Sequence, residues 1–137
     1  MKYVEAFRSL GYVIDAPRTD WSAEKSDGIC ITIWQRERGV KDGLPYLDLW
    51  ELHPSGGEWE HKPGHSKRTR HLIRSVGEFG GRVDVIFVQG KPGESYENAV
   101  PWETIKRGAG WRIARFDPQT GYFRAEVDKA NSTVAGQ

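Results

Sequence analysis

In the run Ile29-Cys30-Ile31-Thr32-Ile33-Trp34 nearly every side chain is apolar, β-branched or aromatic. A strand with one wet face alternates apolar and polar residues; a strand without that alternation needs cover on both faces. The segment is therefore expected to be a central strand, with a layer of structure on each side. A second strand is read at Arg82-Val83-Asp84-Val85-Ile86-Phe87-Val88. At roughly 150 residues per domain, the 137 residues of the chain call for one domain to supply both layers.

The remaining elements follow from spacing and turn chemistry. Tyr3, Phe7 and Leu10 stand at helical intervals, with Gly11 as a stop. Asp15 to Asp20 reads as an irregular connection and Asp27-Gly28 as a turn. Residues 36–44 are expected to be an exposed charged loop, and Tyr46 to Leu52 a strand bounded by Pro45 and Pro54. Pro54 to Gly64 reads as loop. Ser66 then caps a helix to about Phe79 whose apolar face is Leu72, Ile73, Val76 and Phe79, ended by Gly80-Gly81. After the loop Gly90-Lys91-Pro92-Gly93, residues 95–107 read as a short helix starting or breaking near Pro101. Trp111 to Phe116 and Tyr122 to Val127 form a hairpin around Asp117-Pro118-Gln119-Thr120-Gly121. This order predicts an α+β domain over residues 1–128, a curled and mostly antiparallel sheet with two or three helices, and a frayed polar tail at 129–137.

Composition narrows the class. No apolar run reaches the roughly 18–20 residues of a membrane helix, and the start lacks the apolar stretch of a signal peptide. The single cysteine, Cys30, excludes an internal disulfide framework and a cysteine-rich zinc site. A cytoplasmic protein without membrane contact, metal or cofactor is expected. The net charge of +1 conceals an asymmetry. Residues 1–60 hold 7 Lys/Arg and 11 Asp/Glu, or −4, whereas residues 61–137 hold 13 and 8, or +5. Such a division between halves is one of the few compositional signs of nucleic-acid contact.

The basic excess gathers in His61-Lys62-Pro63-Gly64-His65-Ser66-Lys67-Arg68-Thr69-Arg70-His71-Leu72-Ile73-Arg74, with five Lys/Arg, three His and no acid. Lys67, Arg70 and Arg74 fall at i, i+3 and i+7, opposite the expected apolar face. Lys62, His65, Lys67, Arg68, Arg70 and Arg74 are accordingly the candidate phosphate-binding residues, with arginine supplying bidentate geometry. A solvated helix face is the plain alternative. Cations in a first helical turn, however, oppose the macrodipole at about 0.3–1 kcal/mol each.

The chain carries six tryptophans. Indoles can stack a planar ligand such as an extruded base. Trp59, in a glycine-rich loop just before the basic helix, is the principal candidate for a base pocket, with Trp34 and Trp50 near strand ends; the others read as core. An enzymatic alternative uses Asp84 and the sequence Gln89-Gly90-Lys91, which resembles the signature of PD-(D/E)XK metal nucleases. That resemblance implies acids holding Mg²⁺, with Asp48, Glu51 or Glu58 as a further carboxylate, and Lys91 positioning water. Asp84 and Gln89 lie five apart, on opposite faces of one strand.

The run from Ser26-Asp27-Gly28 through the basic helix to Val88, and the ending Phe116-Asp117-Pro118-Gln119-Thr120-Gly121-Tyr122-Phe123-Arg124-Ala125, resemble a family of short, uncharacterised bacterial proteins. More loosely, residues 27–91 are similar to N-terminal specificity domains that precede HNH nucleases in modification-dependent restriction enzymes. The chain has no HNH region, so the resemblance implies a DNA reader without its cutter. Three expectations stand: a nucleic-acid-binding module, with DNA the partner and a modified base its target; a small Mg²⁺-dependent nuclease; and a module that meets an acidic protein partner through the basic helix.

Overall fold

A computed structural model describes residues 1–56, 62–89, 98–102 and 110–127. Helix α1 (Tyr3–Ser9) precedes a hairpin of β1 (Ser22–Lys25) and β2 (Gly28–Trp34). A 3-10 turn (Gln35–Glu37) leads into a second hairpin, β3 (Gly39–Lys41) and β4 (Leu44–Asp48). Helices α2 (Leu49–Leu52) and α3 (Pro63–Glu78) follow, then β5 (Arg82–Gln89), β6 (Asn98–Pro101), β7 (Trp111–Phe116) and β8 (Phe123–Val127). The strands form one open sheet in the order β1-β2-β5-β7-β8-β4-β3, with β6 beside the end of β5. Strands β2 and β5 run parallel, and the other described pairs are antiparallel. This is the expected α+β class, with three α-helices among the described residues.

The two apolar strands lie side by side at the centre and divide their side chains by period two. Ile29, Ile31 and Ile33 join Val83, Val85 and Phe87 in a large core with Leu72 of α3 and Trp111, Ile113, Phe123 and Ala125 of the terminal hairpin. Cys30, Ile86 and Val88 face the other way, onto Tyr3, Ala6 and Phe7 of α1 and onto Tyr12. Full burial of each large apolar side chain contributes about 1.5–3 kcal/mol, so both faces of β2 and β5 hold helices to the sheet. Burial pushes the Cys30 thiol well up, leaving it an inert packing group.

Several local expectations are corrected. The loop expected over residues 36–44 is the 3-10 turn and the β3–β4 hairpin. Its two-residue turn, Asp42-Gly43, has φ of 54° and 77°, the left-handed pair that matches strand twist. The strand expected to reach Leu52 stops at Asp48, whose carboxylate accepts from the Trp50 and Glu51 amides at 2.9 and 3.1 Å and starts α2. Helix α3 begins at Pro63 rather than Ser66, because proline's fixed φ and missing N–H suit the first helical position. Within the helix expected over residues 95–107, Asn98–Pro101 is instead strand β6, paired with β5. Residues 103–107 and the tail at 129–137 lie outside the described residues. Strand β1 was not expected. The terminal hairpin is found as read, with an irregularity between Ile113 and Arg115.

The largest correction concerns which side of α3 turns inward. Of the expected apolar face, only Leu72 is buried; Ile73 and Val76 are 50% and 46% exposed, and Phe79 packs at the margin of the core. The inward residues are Gly64, His65, Arg68, His71, Leu72 and Ser75. Several of their polar atoms find partners on other segments. His65 Nε2 lies 2.8 Å from the Thr120 carbonyl, and Ser75 donates to the Arg82 carbonyl at 2.8 Å. His71 Nδ1 is 2.6 Å from Ser22 Oγ, and its Nε2 is 3.1 Å from Glu24. A carboxylate only accepts, so Nε2 carries a proton; because burial disfavours the charged ring, Nδ1 is the acceptor for Ser22 at neutral pH.

Burial lowers the His71 pKa below its ordinary 6.5, against the attraction of Glu24. The unfolded chain therefore takes up this proton first, and stability falls as pH drops below about 6.5. Thermal unfolding between pH 8 and pH 5 is expected to show a shallower acid-side decline for His71→Gln than for the natural chain. Equal slopes count against a neutral buried His71.

Candidate functional site

Parallel strand β2 ends at Trp34, close to the start of α3, and a cavity of about 460 Å³ opens there. In sheets with parallel strands, ligands favour the crevice beyond the strands' carboxyl ends, where helix N-termini also point. The volume lies within the roughly 300–1,000 Å³ of small-molecule sites. Two indoles, Trp21 and Trp34, form its aromatic wall, and Ile33, Leu47 and Leu49 supply apolar lining. Among the described residues, Arg18, Arg36, Lys62 and Arg68 bring four cations to the lining, against one carboxylate, Glu37.

Each wall has a local cause. The connection from Asp15 to Asp20 is tied down by the buried Asp20, whose carboxylate accepts from the Ala16 amide at 2.9 Å and from Lys67 at 2.8 Å. Its carbonyl accepts from the Tyr3 hydroxyl at 2.6 Å. Trp21 follows, with its carbonyl held by the Thr32 amide and hydroxyl at 3.1 and 3.0 Å. Gly64 lets the first turn of α3 come down on that indole. A Cβ there would overlap the Thr19 carbonyl oxygen and stand 2.7 Å from two atoms of the Trp21 ring. At the other wall, the Arg36 guanidinium lies 4.4 Å from the centre of the Trp34 ring, a cation on an indole face.

Arg68 is the inner cation. Only 7% exposed, it lies between two aromatic faces, 5.0 Å from the ring centre of Trp21 and 5.0 Å from that of Phe123. Burial pulls its pKa down to about 10, with the Glu37 carboxylate opposing the shift. It therefore remains a cation at neutral pH, held in a fixed place at low dielectric. His53 Nε2 stands 3.6 Å from Glu37, longer than a hydrogen bond.

The candidate phosphate-binding residues divide into separate groups. Lys62 is exposed at the cavity mouth, and Arg68 lines the interior. His65 is buried against Thr120. Lys67 is paired with Asp20 and Asp15, and the Asp20 hydrogen bond is the main reason its pKa is raised. Arg74 reaches Glu24 and Glu78 and donates to the Lys25 and Ser26 carbonyls, locking the β1–β2 turn to α3. Arg70 is exposed on the outer face. The first turn of α3 holds no acid, and the cation next to it, Lys67, is compensated by the two aspartates.

Of the base-pocket candidates, Trp34 lines the cavity and Trp59 lies outside the described residues. Trp50 is elsewhere, with Arg115 stacked 4.0 Å from its ring centre and Tyr122 at 5.8 Å. Trp21, Arg18, Arg36 and Glu37 were not singled out from the sequence. Arg36 and Glu37 fall in a stretch that reads as loop, and Trp21 is among the tryptophans that read as core. On the nuclease residues, Asp84 accepts from the Tyr12 hydroxyl at 2.7 Å beneath α1, and Gln89 donates to Gln35. Lys91 lies outside the described residues. Among the described residues, no three His, Cys, Asp or Glu side chains gather where they could hold a metal ion, and no helix is long and apolar enough to cross a membrane. Set against protein families, curated proteins and solved structures, the chain finds no match.

The Gly64 contact gives a test with a definite sign. Glycine to alanine inside a helix ordinarily stabilises by about 1 kcal/mol. Here overpacking against Thr19 and Trp21 is expected to reverse that, for a net loss of about 1–3 kcal/mol seen as a lower thermal midpoint. A raised midpoint would mean that Trp21 is not seated against the helix.

Proposed function

We propose that this protein binds nucleic acid through the Trp21–Trp34 cavity, with a base against the indoles and phosphates met by Arg18, Arg36 and Lys62. The observation that carries the reading is the composition of one cavity: two indoles and four cations around a volume suited to a nucleotide. Base–aromatic stacking is worth about 1–3 kcal/mol per base. Backbone phosphates are the commonest contact of any nucleic-acid-binding surface, and cations at a cavity rim supply it. The loose resemblance read in the sequence of residues 27–91, to specificity domains of modification-dependent restriction enzymes, is the ground for naming DNA, and a modified base displaced from the stack, as the target. A base that leaves the duplex needs a pocket to enter, and this cavity provides one.

The basic stripe on α3 has a smaller part in this reading than in the sequence. Lys67 and Arg74 hold structure together, Lys62 meets phosphate, and Arg68 contributes a buried charge to the cavity wall. Binding to a short single-stranded DNA is expected to weaken with salt, with a log–log slope of about −2 for three phosphates neutralised. Arg36→Glu and Lys62→Glu should each weaken binding to all sequences and flatten that slope by about one. Trp34→Ala should cost about 1–3 kcal/mol in affinity, read by calorimetry. Absence of binding at roughly 50 mM salt, where non-specific association is strong, removes the reading.

A second reading rests on Ile73 and Val76, half-exposed on the outer face of α3 near the exposed Arg70. That combination suits a protein partner with acidic residues around an apolar contact. Ile73→Ser with Val76→Ser is expected to leave DNA binding and the thermal midpoint within experimental error while abolishing association with such a partner. A loss of DNA binding in this double variant would instead place the nucleic acid on the outer face.

A further inference from the structure

The cavity contains one feature that phosphate binding does not explain. Among its described charged lining residues stands a single carboxylate, Glu37. Glu37 offsets part of the cost of burying the Arg68 charge, but toward a ligand that is only an anion it is repulsive and weakens the field of the neighbouring arginines. A ligand that carries both an anionic group and an array of N–H donors would use both signs of charge. Resting on the nucleic-acid reading, we propose that Glu37 is the specificity-determining residue of this cavity and selects guanine, through the adjacent N1–H and N2–H donors of its Watson–Crick edge.

The geometry supports an inward-facing acceptor. Glu37 closes the 3-10 turn directly after Trp34, so the carboxylate and one stacking wall come from the same short segment. Its nearby groups are His53, at 3.6 Å, and the field of buried Arg68, both on the cavity lining. An ionised carboxylate has about four lone-pair positions, so a His53 contact at that distance leaves acceptor capacity for a ligand. The side chain is 27% exposed, sheltered enough for a charge-assisted hydrogen bond to outweigh one made with water.

The bases differ in what they offer a carboxylate. Guanine presents two neighbouring N–H donors, which match the two carboxylate oxygens in a parallel pair. Cytosine and adenine each place one amino group beside a ring nitrogen acceptor, and that acceptor would face the second oxygen. Thymine sets one N–H between two carbonyls. A well-formed bidentate pair discriminates by about 1–3 kcal/mol, which is roughly 5- to 150-fold in affinity.

The test uses the full chain and five-nucleotide single strands of thymidine in which the central base is guanine, hypoxanthine, cytosine, adenine or thymine, titrated by calorimetry at low salt. The guanine strand is expected to bind roughly 5- to 150-fold more tightly than the cytosine, adenine and thymine strands. Hypoxanthine keeps N1–H and lacks the amino group, so it should fall between. Glu37→Gln replaces one acceptor by a donor and should bring the strands to similar affinities, chiefly by weakening the guanine complex. Equal binding of all five strands by the natural chain, or a preference for adenine, cytosine or thymine, overturns the assignment of Glu37 while leaving the nucleic-acid reading in place. A guanine preference that survives in a folded Glu37→Gln variant also overturns it. If no strand binds, both readings fall together. The hypoxanthine comparison needs no variant and keeps the proposal open to refutation even if Glu37→Gln does not fold.

Discussion

The polar inner face of α3 is the constraint on which the rest of the structure depends. A helix normally docks on a sheet with an apolar stripe, and burying an arginine and two histidines instead is costly unless every group is matched. Here much of the matching is done by other segments, most of them far away in the chain. Thr120 meets His65, Ser22 and Glu24 meet His71, Arg82 meets Ser75, and Trp21 and Phe123 sandwich Arg68. These contacts join α3 to the first hairpin on one side and to the last hairpin on the other. They favour one seating of the helix, since a shift by one residue would leave buried polar atoms without partners. The cavity is a consequence of that seating. Arg68 enters its wall because the polar face points inward, and the helix start closes over Trp21 because residue 64 has no side chain.

The charge asymmetry of the sequence acquires a structural meaning in this light. Acids of the first half meet bases of the second: Asp15 and Asp20 with Lys67, Glu24 with Arg74, and Asp48 and Glu51 with Arg124. The more exposed of these pairs, such as Lys67 with Asp15 and Arg124 with Glu51, contribute about 0–1 kcal/mol each, so their value lies in register more than in stability. Much of the basic excess around α3 is thereby neutralised within the molecule. The cations that remain beside the indoles come from both halves, Arg18 and Arg36 from the acidic one and Lys62 and Arg68 from the basic one. A division by sequence position could not have located that group.

Local signals carried much of the fold. The period-two packing of Ile29 to Trp34, the Val83 to Val88 strand and the terminal hairpin were legible because each depends on neighbours within a few residues. Asp42-Gly43 was equally informative, a turn pair whose left-handed φ values demand a hairpin, yet the charged residues around it read as loop. The break at Asp48 was written in a capping residue followed by a short apolar stretch that fits either strand or helix. The site was less legible. Trp34, Lys62 and Arg68 could be named in advance, but Trp21 and Glu37 could not. Their roles depend on the carbonyl contact of Trp21 with Thr32 and on where the chain turns after β2.

The sequence by itself determined that two strands must be covered on both faces, that the last hairpin forms, and that a cationic helix lies between them. These follow from side-chain periodicity and turn geometry, which are local properties of the chain. Only the tertiary structure decided which face of that helix is buried. By spacing alone, Leu72, Ile73 and Val76 offered a plausible apolar face. The polar face prevailed because its partners, 49 and 55 residues away in sequence for His71 and His65, are assembled only when the sheet is complete. The same long-range assembly set Trp21, Trp34, Arg68 and Glu37 around one cavity, and for that reason the site could not be read from spacing.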